Sequence, residues 1–211
     1  MKSLGRQTNT SYHVLAQVYD ALMEEIDYDA WCDYVIGLAG EVNPQNFRGG
    51  QVKILDLACG TGEFTHRLAS LGFDITAIDI SRDMLAVAEH KCRSRGLDVG
   101  FFQQDMRTFQ LQELQDVVFC LCDSLNYLLE PAEWLSTFQR VFQVLKHGGA
   151  FIFDVNTLYK LATIYGDNSY AGDEGDFSYI WENDYHPQDG LCYMDLTFFI
   201  RKQIAGHEGC Y

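Results

Sequence analysis

The sequence predicts an α/β fold, a doubly wound and mainly parallel sheet with helices on both faces. Between residues 51 and 156, short apolar runs alternate with segments of helical period and length. The apolar runs are nearly continuous, as is typical of parallel strands that are buried on both sides. A hydrophobic fraction of 47% over 211 residues is enough to fill such a core.

The strands and helices of this core follow from their boundary signals. Ser81 is expected to cap one helix, and Pro131 to begin another that the glycines after His147 close. The predicted strands are residues 52–57, 74–80, 99–103, 116–121 and 150–155. The predicted helices are residues 63–70, 82–95 and 131–146.

Segments of different character flank this core. The first 45 residues show helical spacing, and a helix near residues 28–39 is expected to bury the face made by Trp31, Tyr34, Val35 and Leu38. Residues 165–176 have the composition of a loop, and two apolar runs around H-P-Q-D-G predict an antiparallel hairpin. The predicted domains are a helical cap at 1–45, a core at 46–156, and a loop with a hairpin lid at 157–211.

Charge and cysteine content restrict the class of protein. The formal net charge is −15, with 30 acidic and 15 basic residues, which opposes nucleic-acid binding and favours a small cationic ligand. Seven cysteines at irregular spacing, without a C-x-x-C pair, favour a reducing compartment. Since the first residues lack an apolar signal core and no apolar run reaches membrane-spanning length, we expect a soluble cytoplasmic protein.

The loop in I-L-D-L-A-C-G-T-G-E-F, residues 54–64, follows the first predicted strand, where many α/β proteins bind nucleotides. A dinucleotide fingerprint would place a third glycine at Thr65, and a phosphate-binding P-loop would need G-K-[ST], which is absent. The loop also has no Lys or Arg to meet a pyrophosphate. Both phosphate-cradling interpretations are therefore weak.

The spacing Asp56-x-Ala58-x-Gly60-x-Gly62 closely resembles the first motif of class I S-adenosylmethionine-dependent methyltransferases, with Ala58 in place of the first glycine. Asp79, at the end of the second strand, can accept hydrogen bonds from a ribose diol, as it also would in NAD enzymes. In the family, an acidic residue after the third strand contacts the adenine amino group. The resemblance implies these cofactor-binding residues: Tyr19, Asp56, Ala58, Cys59, Gly60, Gly62, Asp79, Ile80, Met84, Asp105, Met106 and Cys122.

A narrower resemblance concerns the segments A-Q-V-Y-D-A-L-M and F-C-L-C-D-S-L-N-Y-L. They resemble a bacterial branch of small-molecule-type methyltransferases (methyltransferase domain 25-like), in which an N-terminal helix carrying Tyr-Asp covers the cofactor. The loop after the fourth strand lies beside the methyl group and the substrate in this family. It follows that the expected substrate contacts are Tyr12, Asp123, Asn126 and Tyr127.

Each of these residues also has a structural interpretation. The glycines fit an ordinary strand-to-helix turn, Asp79 fits a helix-capping carboxylate, and Asp105 fits a solvated loop. Cys59 and Cys122 fit small buried residues better than nucleophiles, because no activating histidine is near in sequence. We expect no metal site, since Asp123, Asp154 and Asn156 are equally compatible with strand-end turns.

The sequence thus predicts a Rossmann-like methyltransferase that transfers a methyl group from S-adenosylmethionine to a small-molecule acceptor by in-line displacement. The acceptor is expected to be partly apolar or cationic. Tyr19, Tyr127 and Asp123 are all candidates for a general base, and the catalytic residues stay unassigned. The alternative is a non-catalytic cofactor-binding or partner-binding module on the same fold; an NAD-dependent oxidoreductase fits less well because the third glycine is missing.

One departure from the resembling fold concerns its end. That fold has seven strands and ends in an antiparallel pair, for which the residues after 156 leave too little chain beside the hairpin. The terminal strands are therefore expected to be missing, which leaves A-F-I-F-D-V as an apolar edge. The hairpin strand L-T-F-F-I, a second chain in a homodimer, or a natural shortening or truncation would account for this edge.

Overall fold

The computed structural model describes residues 9–42, 52–204 and 207–210, with side chains from 15 to 42 and from 52 to 201. The chain divides into two compact units, Met1–Val155 and Asn156–Tyr211. Both are described separately below. The predicted boundary between the cap and the core, at residues 45 and 46, lies outside the described residues.

The first unit is built on a five-stranded parallel sheet. Its strands are β1 (Lys53–Leu57), β2 (Asp74–Asp79), β3 (Gly100–Gln103), β4 (Gln115–Cys120) and β5 (Leu145–Phe153). Their order is β3-β2-β1-β4-β5, and every neighbouring pair is parallel. The order reverses at β1, so the carboxyl ends of β1 and β4 form the switch point where ligands bind in such sheets. The predicted doubly wound α/β fold is confirmed.

Hydrophobic residues on both faces of the sheet anchor the helices. Ile54 of β1 and Phe119 of β4 belong to a cluster shared with α2 (Tyr28–Val42) and α3 (Glu63–Ser70). Their neighbours Leu55 and Val118 belong to a second cluster, shared with α5 (Pro131–Val144). Because consecutive strand residues point to opposite faces, continuous apolar runs are what a sheet covered on both sides requires.

The N-terminal region is helical, as predicted, and forms α1 (Asn9–Leu22) and α2. The predicted buried face of α2 is wrong at Trp31 and Tyr34, which are exposed. The face that packs is Tyr28, Cys32, Val35 and Ala39. Small residues at two of these positions let the helix approach the sheet closely, whereas the large aromatic residues had suggested a core face.

The α4 helix (Arg82–Ser94) begins as predicted, with the Ser81 side chain accepting a hydrogen bond from the Met84 amide. The α5 helix begins at Pro131, but its predicted end at Lys146 is wrong. The backbone becomes extended at Leu145, and the following residues belong to β5. The Lys146 ammonium forms an ion pair of 2.7 Å with the buried Asp116 carboxylate, which draws this segment to β4.

The second unit contains a three-stranded antiparallel sheet of β6 (Ser169–Asp173), β7 (Phe177–His186) and β8 (Leu191–Ile200). The hairpin of β7 and β8 is confirmed. The loop predicted at 165–176 is wrong, because β6 pairs with β7 along its length. Gly172 lies opposite Tyr179, whose ring covers it so closely that an added Cβ would come within 2.6 Å. Aromatic cross-strand packing thus makes a strand of a polar, glycine-containing segment.

Beyond β8, the short strands β9 (Lys202–Ile204) and β10 (His207–Cys210) pair with each other. Among the described residues, β5 is an edge of the parallel sheet, and the strand L-T-F-F-I pairs with β7 instead of covering it. None of the helices in the described ranges is long and apolar enough to cross a membrane.

Candidate active site

The turn after β1 has an unusual backbone. Ala58, Gly60 and Gly62 all have positive φ, at 63°, 54° and 77°. Two backbone hydrogen bonds hold the turn: the Cys59 amide donates to the Ile78 carbonyl, and the Gly62 amide to the Cys59 carbonyl. The sequence accommodates this shape because glycine adopts left-handed conformations at little cost.

The two glycines of this turn have different surroundings. A Cβ added to Gly62 would lie 2.8 Å from the Cβ of Ala88, so this glycine allows α3 to pack against α4. This is the helix-packing role that the third glycine has in a dinucleotide fingerprint. A Cβ added to Gly60 would meet no atom within 4 Å, so the space above Gly60 is open, as a ligand lying against the turn requires.

Asp79 is buried at the end of β2 and faces the same turn. Its Oδ2 accepts a hydrogen bond from the Gly60 amide at 2.9 Å, and its Oδ1 from the Ser81 amide at 2.7 Å. Burial raises the pKa of Asp79, while the amides of Ser81, Gly60 and Ile80 oppose that rise. Both the capping and the ligand-binding interpretations are compatible with this geometry, because each carboxylate oxygen retains a lone pair.

Asp56 serves a different purpose from Asp79. It is buried at the end of β1, and its Oδ2 accepts a hydrogen bond from the hydroxyl of the fully buried Thr65. Burial raises the pKa of Asp56 to about 6, against the Thr65 hydrogen bond and with a further contribution from Asp79. The hydroxyl explains why threonine suits the position of the missing third glycine, a role that the sequence analysis did not find.

The residues expected around an adenine differ in exposure. Ile80 is 56% exposed beside Asp79, whereas Met84 is 5% exposed and belongs to the core. Asp105 accepts hydrogen bonds from the backbone amide and the guanidinium of Arg107, which holds the pKa of that carboxyl below its usual range. Arg107 also pairs with Glu133 of α5. Met106 is partly buried against the second cluster.

The loop after β4 brings the other predicted residues towards α1. Cys122 and Asp123 have positive φ, at 56° and 51°, and a 3-10 helix with Asn126 and the exposed Tyr127 follows at Ser124–Tyr127. Three non-glycine residues in this conformation, Ala58 included, thus lie at the ends of two adjacent strands, where strain is characteristic of functional sites. Tyr12 is in α1, and its side chain lies outside the described residues.

Tyr19 of α1 is close to this loop. Its pKa is raised by burial first, and then by Cys122, Tyr28, Tyr127 and Asp123. A phenol of raised pKa stays protonated at neutral pH and is therefore a hydrogen-bond donor rather than a general base. Burial likewise raises the pKa of Cys122 to about 12 and that of Cys59 well above its usual value, which makes neither thiol a nucleophile.

Asp154, just after β5, completes this edge of the sheet. Its Oδ2 accepts a hydrogen bond of 2.9 Å from the Asp123 amide. Its Oδ1 is buried and has no hydrogen-bond partner among the residues that the structure describes. Buried carboxylate oxygens are normally paired, so this oxygen is an acceptor in need of a donor. In the described part of the chain, no three His, Cys, Asp or Glu side chains come together as a metal-ligand set.

The sheet order, the open glycine turn and the acid at the end of β2 are typical of α/β nucleotide-binding proteins. Residues 54–149 match the family pattern of a methyltransferase domain. A methyltransferase of Geobacillus sp. strain WCH70 is 39% identical over 210 residues, covering 95% of this chain and 78% of that protein. The methyltransferase YqeM of Bacillus subtilis strain 168 is also 39% identical, over 90% of this chain and 73% of its own.

A solved structure leads to the same family. The crystal structure of an S-adenosylmethionine-dependent methyltransferase from Clostridium acetobutylicum ATCC 824 superimposes with a TM-score of 0.78 at 35% identity, covering 92% of this chain and 76% of that one. The chain therefore belongs to the S-adenosylmethionine-dependent methyltransferases. S-adenosylmethionine is its cofactor, and the prediction of an enzyme is confirmed.

Proposed function

We propose that this methyltransferase acts on a small molecule that carries an amine or another hydrogen-bond-donating, cationic group. The observation that carries the proposal is the unpaired Oδ1 of Asp154, buried at the edge of the sheet where the acceptor side of the site is expected. Such an oxygen favours a donor that replaces the hydrogen bond it lacks. The net charge of −15 favours the same class of acceptor.

The cofactor side of the site rests on residues that we propose to bind S-adenosylmethionine. The open backbone at Gly60 faces the ligand, and Asp79 accepts hydrogen bonds from the ribose diol, with Ile80 against the adenine. When bound, the sulfonium supplies a methyl group that is already activated for in-line displacement. The chain's own contribution is then mainly to align the acceptor, which is worth about 7–11 kcal/mol in ideal cases.

Acceptor-side residues have separate proposed roles. Tyr19 donates a hydrogen bond from its protonated phenol, and Asp123, Asn126 and Tyr127 line the space beside the methyl group. Tyr12 would extend this lining.

Calorimetry with Asp79 variants tests the cofactor side. S-adenosylmethionine and S-adenosylhomocysteine should bind the wild type, whereas Asp79→Ala should weaken both by about tenfold or more, since hydrogen bonds to charged groups are worth about 1.5–3 kcal/mol. Asp79→Asn, which keeps one acceptor oxygen, should have an intermediate effect. Binding of NADH in place of the sulfur nucleotides would contradict the assignment, and unchanged binding in Asp79→Ala would remove Asp79 from the site.

A screen of methyl acceptors tests the proposed role of the Asp154 carboxylate. Small amines should be methylated in preference to phenols and carboxylates, and Asp154→Asn should lower kcat/KM for the best amine while the Kd for S-adenosylmethionine stays unchanged. Asp98→Asn is a matched control, because it removes the same charge from an exposed position in the loop before β3. Equal turnover in Asp154→Asn and Asp98→Asn would contradict the role of Asp154. Turnover of no acceptor would favour the non-catalytic alternative.

The remaining partner and location hypotheses stay proposals. The β5 edge is available for a homodimer, and the acidic composition makes nucleic-acid substrates unfavourable. A cytoplasmic location stays a prediction, which the cysteine pattern favours. The organisation into a cap, a core and a lid also stays a prediction.

A further inference from the structure

Asp20 is next to Tyr19 on α1, yet its side chain reaches a different part of the site. Its Oδ1 accepts a hydrogen bond of 2.6 Å from the hydroxyl of Thr61. Thr61 lies between Gly60 and Gly62, and only 2% of it is exposed. A residue of the N-terminal helix is thus bonded to the middle of the glycine turn.

The second oxygen of Asp20 has a partner of its own. Its Oδ2 forms an ion pair of 2.7 Å with the ammonium of Lys91 in α4, whose side chain is 10% exposed. Lys91 also pairs with Glu63, the first residue of α3. The ion pair with Lys91 therefore fixes the Asp20 carboxylate to α4, in the position where it accepts the hydrogen bond from Thr61.

The turn needs such support because of its backbone. Ala58 is left-handed although it is not a glycine, and no atom of the described residues lies within 4 Å of a Cβ added to Gly60. The turn is fixed on one side by Asp79, which accepts from the Gly60 amide, and on the other by Asp20 through Thr61. Removing either contact takes away one of the two side-chain hydrogen bonds that Asp79 and Asp20 provide to this turn.

We propose that Asp20 is a positioning residue, which holds the glycine turn in its cofactor-binding shape through the Thr61 hydroxyl. Consecutive residues of α1 then serve the two halves of the site. Tyr19 faces the loop after β4, and Asp20 faces the turn after β1. The N-terminal helix thereby contributes to cofactor affinity through the shape of the turn, in addition to covering the ligand.

Binding of S-adenosylhomocysteine to Thr61 variants tests this proposal by calorimetry. Thr61→Val keeps the shape of the side chain and loses the hydroxyl. It should raise the Kd for S-adenosylhomocysteine about tenfold, which corresponds to about 1.4 kcal/mol of binding free energy. Thr61→Ser keeps the hydroxyl and should bind within about threefold of wild type, since the bond to Asp20 is retained. A purely space-filling role of Thr61 predicts the opposite order, which would overturn the proposal.

A double-mutant cycle then connects Thr61 to Asp20. Asp20→Ala should weaken binding in the wild-type background and have little further effect in Thr61→Val, because both remove the same contact. Additive losses would mean that Asp20 acts elsewhere, and would overturn the proposal. Urea unfolding of each variant separates a loss of affinity from a loss of folded protein.

Asp29→Asn is the control for helix docking. Asp29 of α2 pairs with Arg67 of α3 at 2.6 Å, so its variant loosens a helix of the same N-terminal region without a contact to the turn. Its Kd should equal that of the wild type. If Asp29→Asn weakened binding as much as Asp20→Ala, general docking of the helices would explain both effects and the proposal would fail.

Discussion

The two glycines of the turn have different expected roles, one in helix packing and one beside the ligand. Gly62 is packed against Ala88, whereas Gly60 faces open space. Gly62→Ala should therefore lower the free energy of unfolding by several kcal/mol, since a left-handed backbone and a clash add together. Urea denaturation measures the effect.

Gly60→Ala is the matched comparison. It brings the left-handed strain without a clash, so it should cost only about 1 kcal/mol of stability while weakening S-adenosylmethionine binding strongly. Equal losses of stability in both variants would contradict the division of roles. Unchanged binding in Gly60→Ala would show that the open space is not the ligand's.

Asp56 gives the fold a pH dependence of predictable sign. Because its folded pKa of about 6 lies above the ordinary 3.8, its contribution to stability is fully present below about pH 4 and is lost as the pH rises through 6. The loss is about 3 kcal/mol by linkage. Asp56→Asn cannot titrate, so its free energy of unfolding should increase relative to wild type between about pH 4 and pH 7.

The Thr65→Val variant tests whether the pKa of Asp56 causes this pH dependence. The Thr65 hydrogen bond lowers the pKa of Asp56, so its removal should move the wild-type drop in stability to higher pH. A constant difference between wild type and Asp56→Asn over this pH range would refute the raised pKa.

The residues that sequence reasoning missed share one property. Asp20, Thr61, Thr65 and Arg107 all act through side-chain hydrogen bonds that no spacing rule names. Asp79 and Gly60 could be found because a spacing rule names them. A hydrogen bond between α1 and the turn leaves no such spacing in the chain.

At the level of elements, β5 and α5 leave large apolar side chains exposed on the first unit. Phe138 of α5 packs on Phe151 and Phe153 of β5, but Phe142, one turn further, is 81% exposed. An apolar helix beside an edge strand is prone to pair with a second copy. We therefore expect concentration-dependent self-association, and expect Phe142→Ser to reduce it in sedimentation equilibrium.

Leu71→Ser is the control for this prediction. Leu71 is 61% exposed at the end of α3, away from the β5 edge in the strand order. Its substitution should leave the association constant unchanged. If Phe142→Ser and wild type had the same mass at every concentration, the edge would not be a dimer surface.

Element predictions succeeded where periodicity was strong and failed where tertiary contacts decided. The five parallel strands follow from apolar runs, but β6 depends on aromatic residues of β7, and the early end of α5 depends on the ion pair of Lys146 with Asp116. Neither cause is visible in a local window of sequence.

The whole molecule has an excess of 15 acidic residues over basic ones, as its net charge of −15 states. S-adenosylmethionine has a net positive charge, and its product S-adenosylhomocysteine has none. The Kd of the first should rise with salt while that of the second stays nearly constant, because screening acts over about 10 Å at 0.1 M. Calorimetry from about 0.02 to 0.5 M salt measures both; parallel curves would exclude a role for net charge.

The fold as a whole was accessible from the sequence because the order of its elements repeats one strand–helix rule. The acceptor was not, because the role that we propose for Oδ1 of Asp154 depends on the surroundings of a single atom, which no spacing in the sequence reveals. The fold and the cofactor are common to many proteins, whereas a few side chains determine which acceptor binds.

The left-handed backbones of Ala58, Cys122 and Asp123 have a consequence for engineering. Such residues cost about 1–3 kcal/mol each, and glycine would relieve that cost. A library selected for heat resistance alone would therefore accumulate glycine at these three positions. Because all three lie at the strand ends where we propose the site, we expect the most heat-resistant variants to lose activity first.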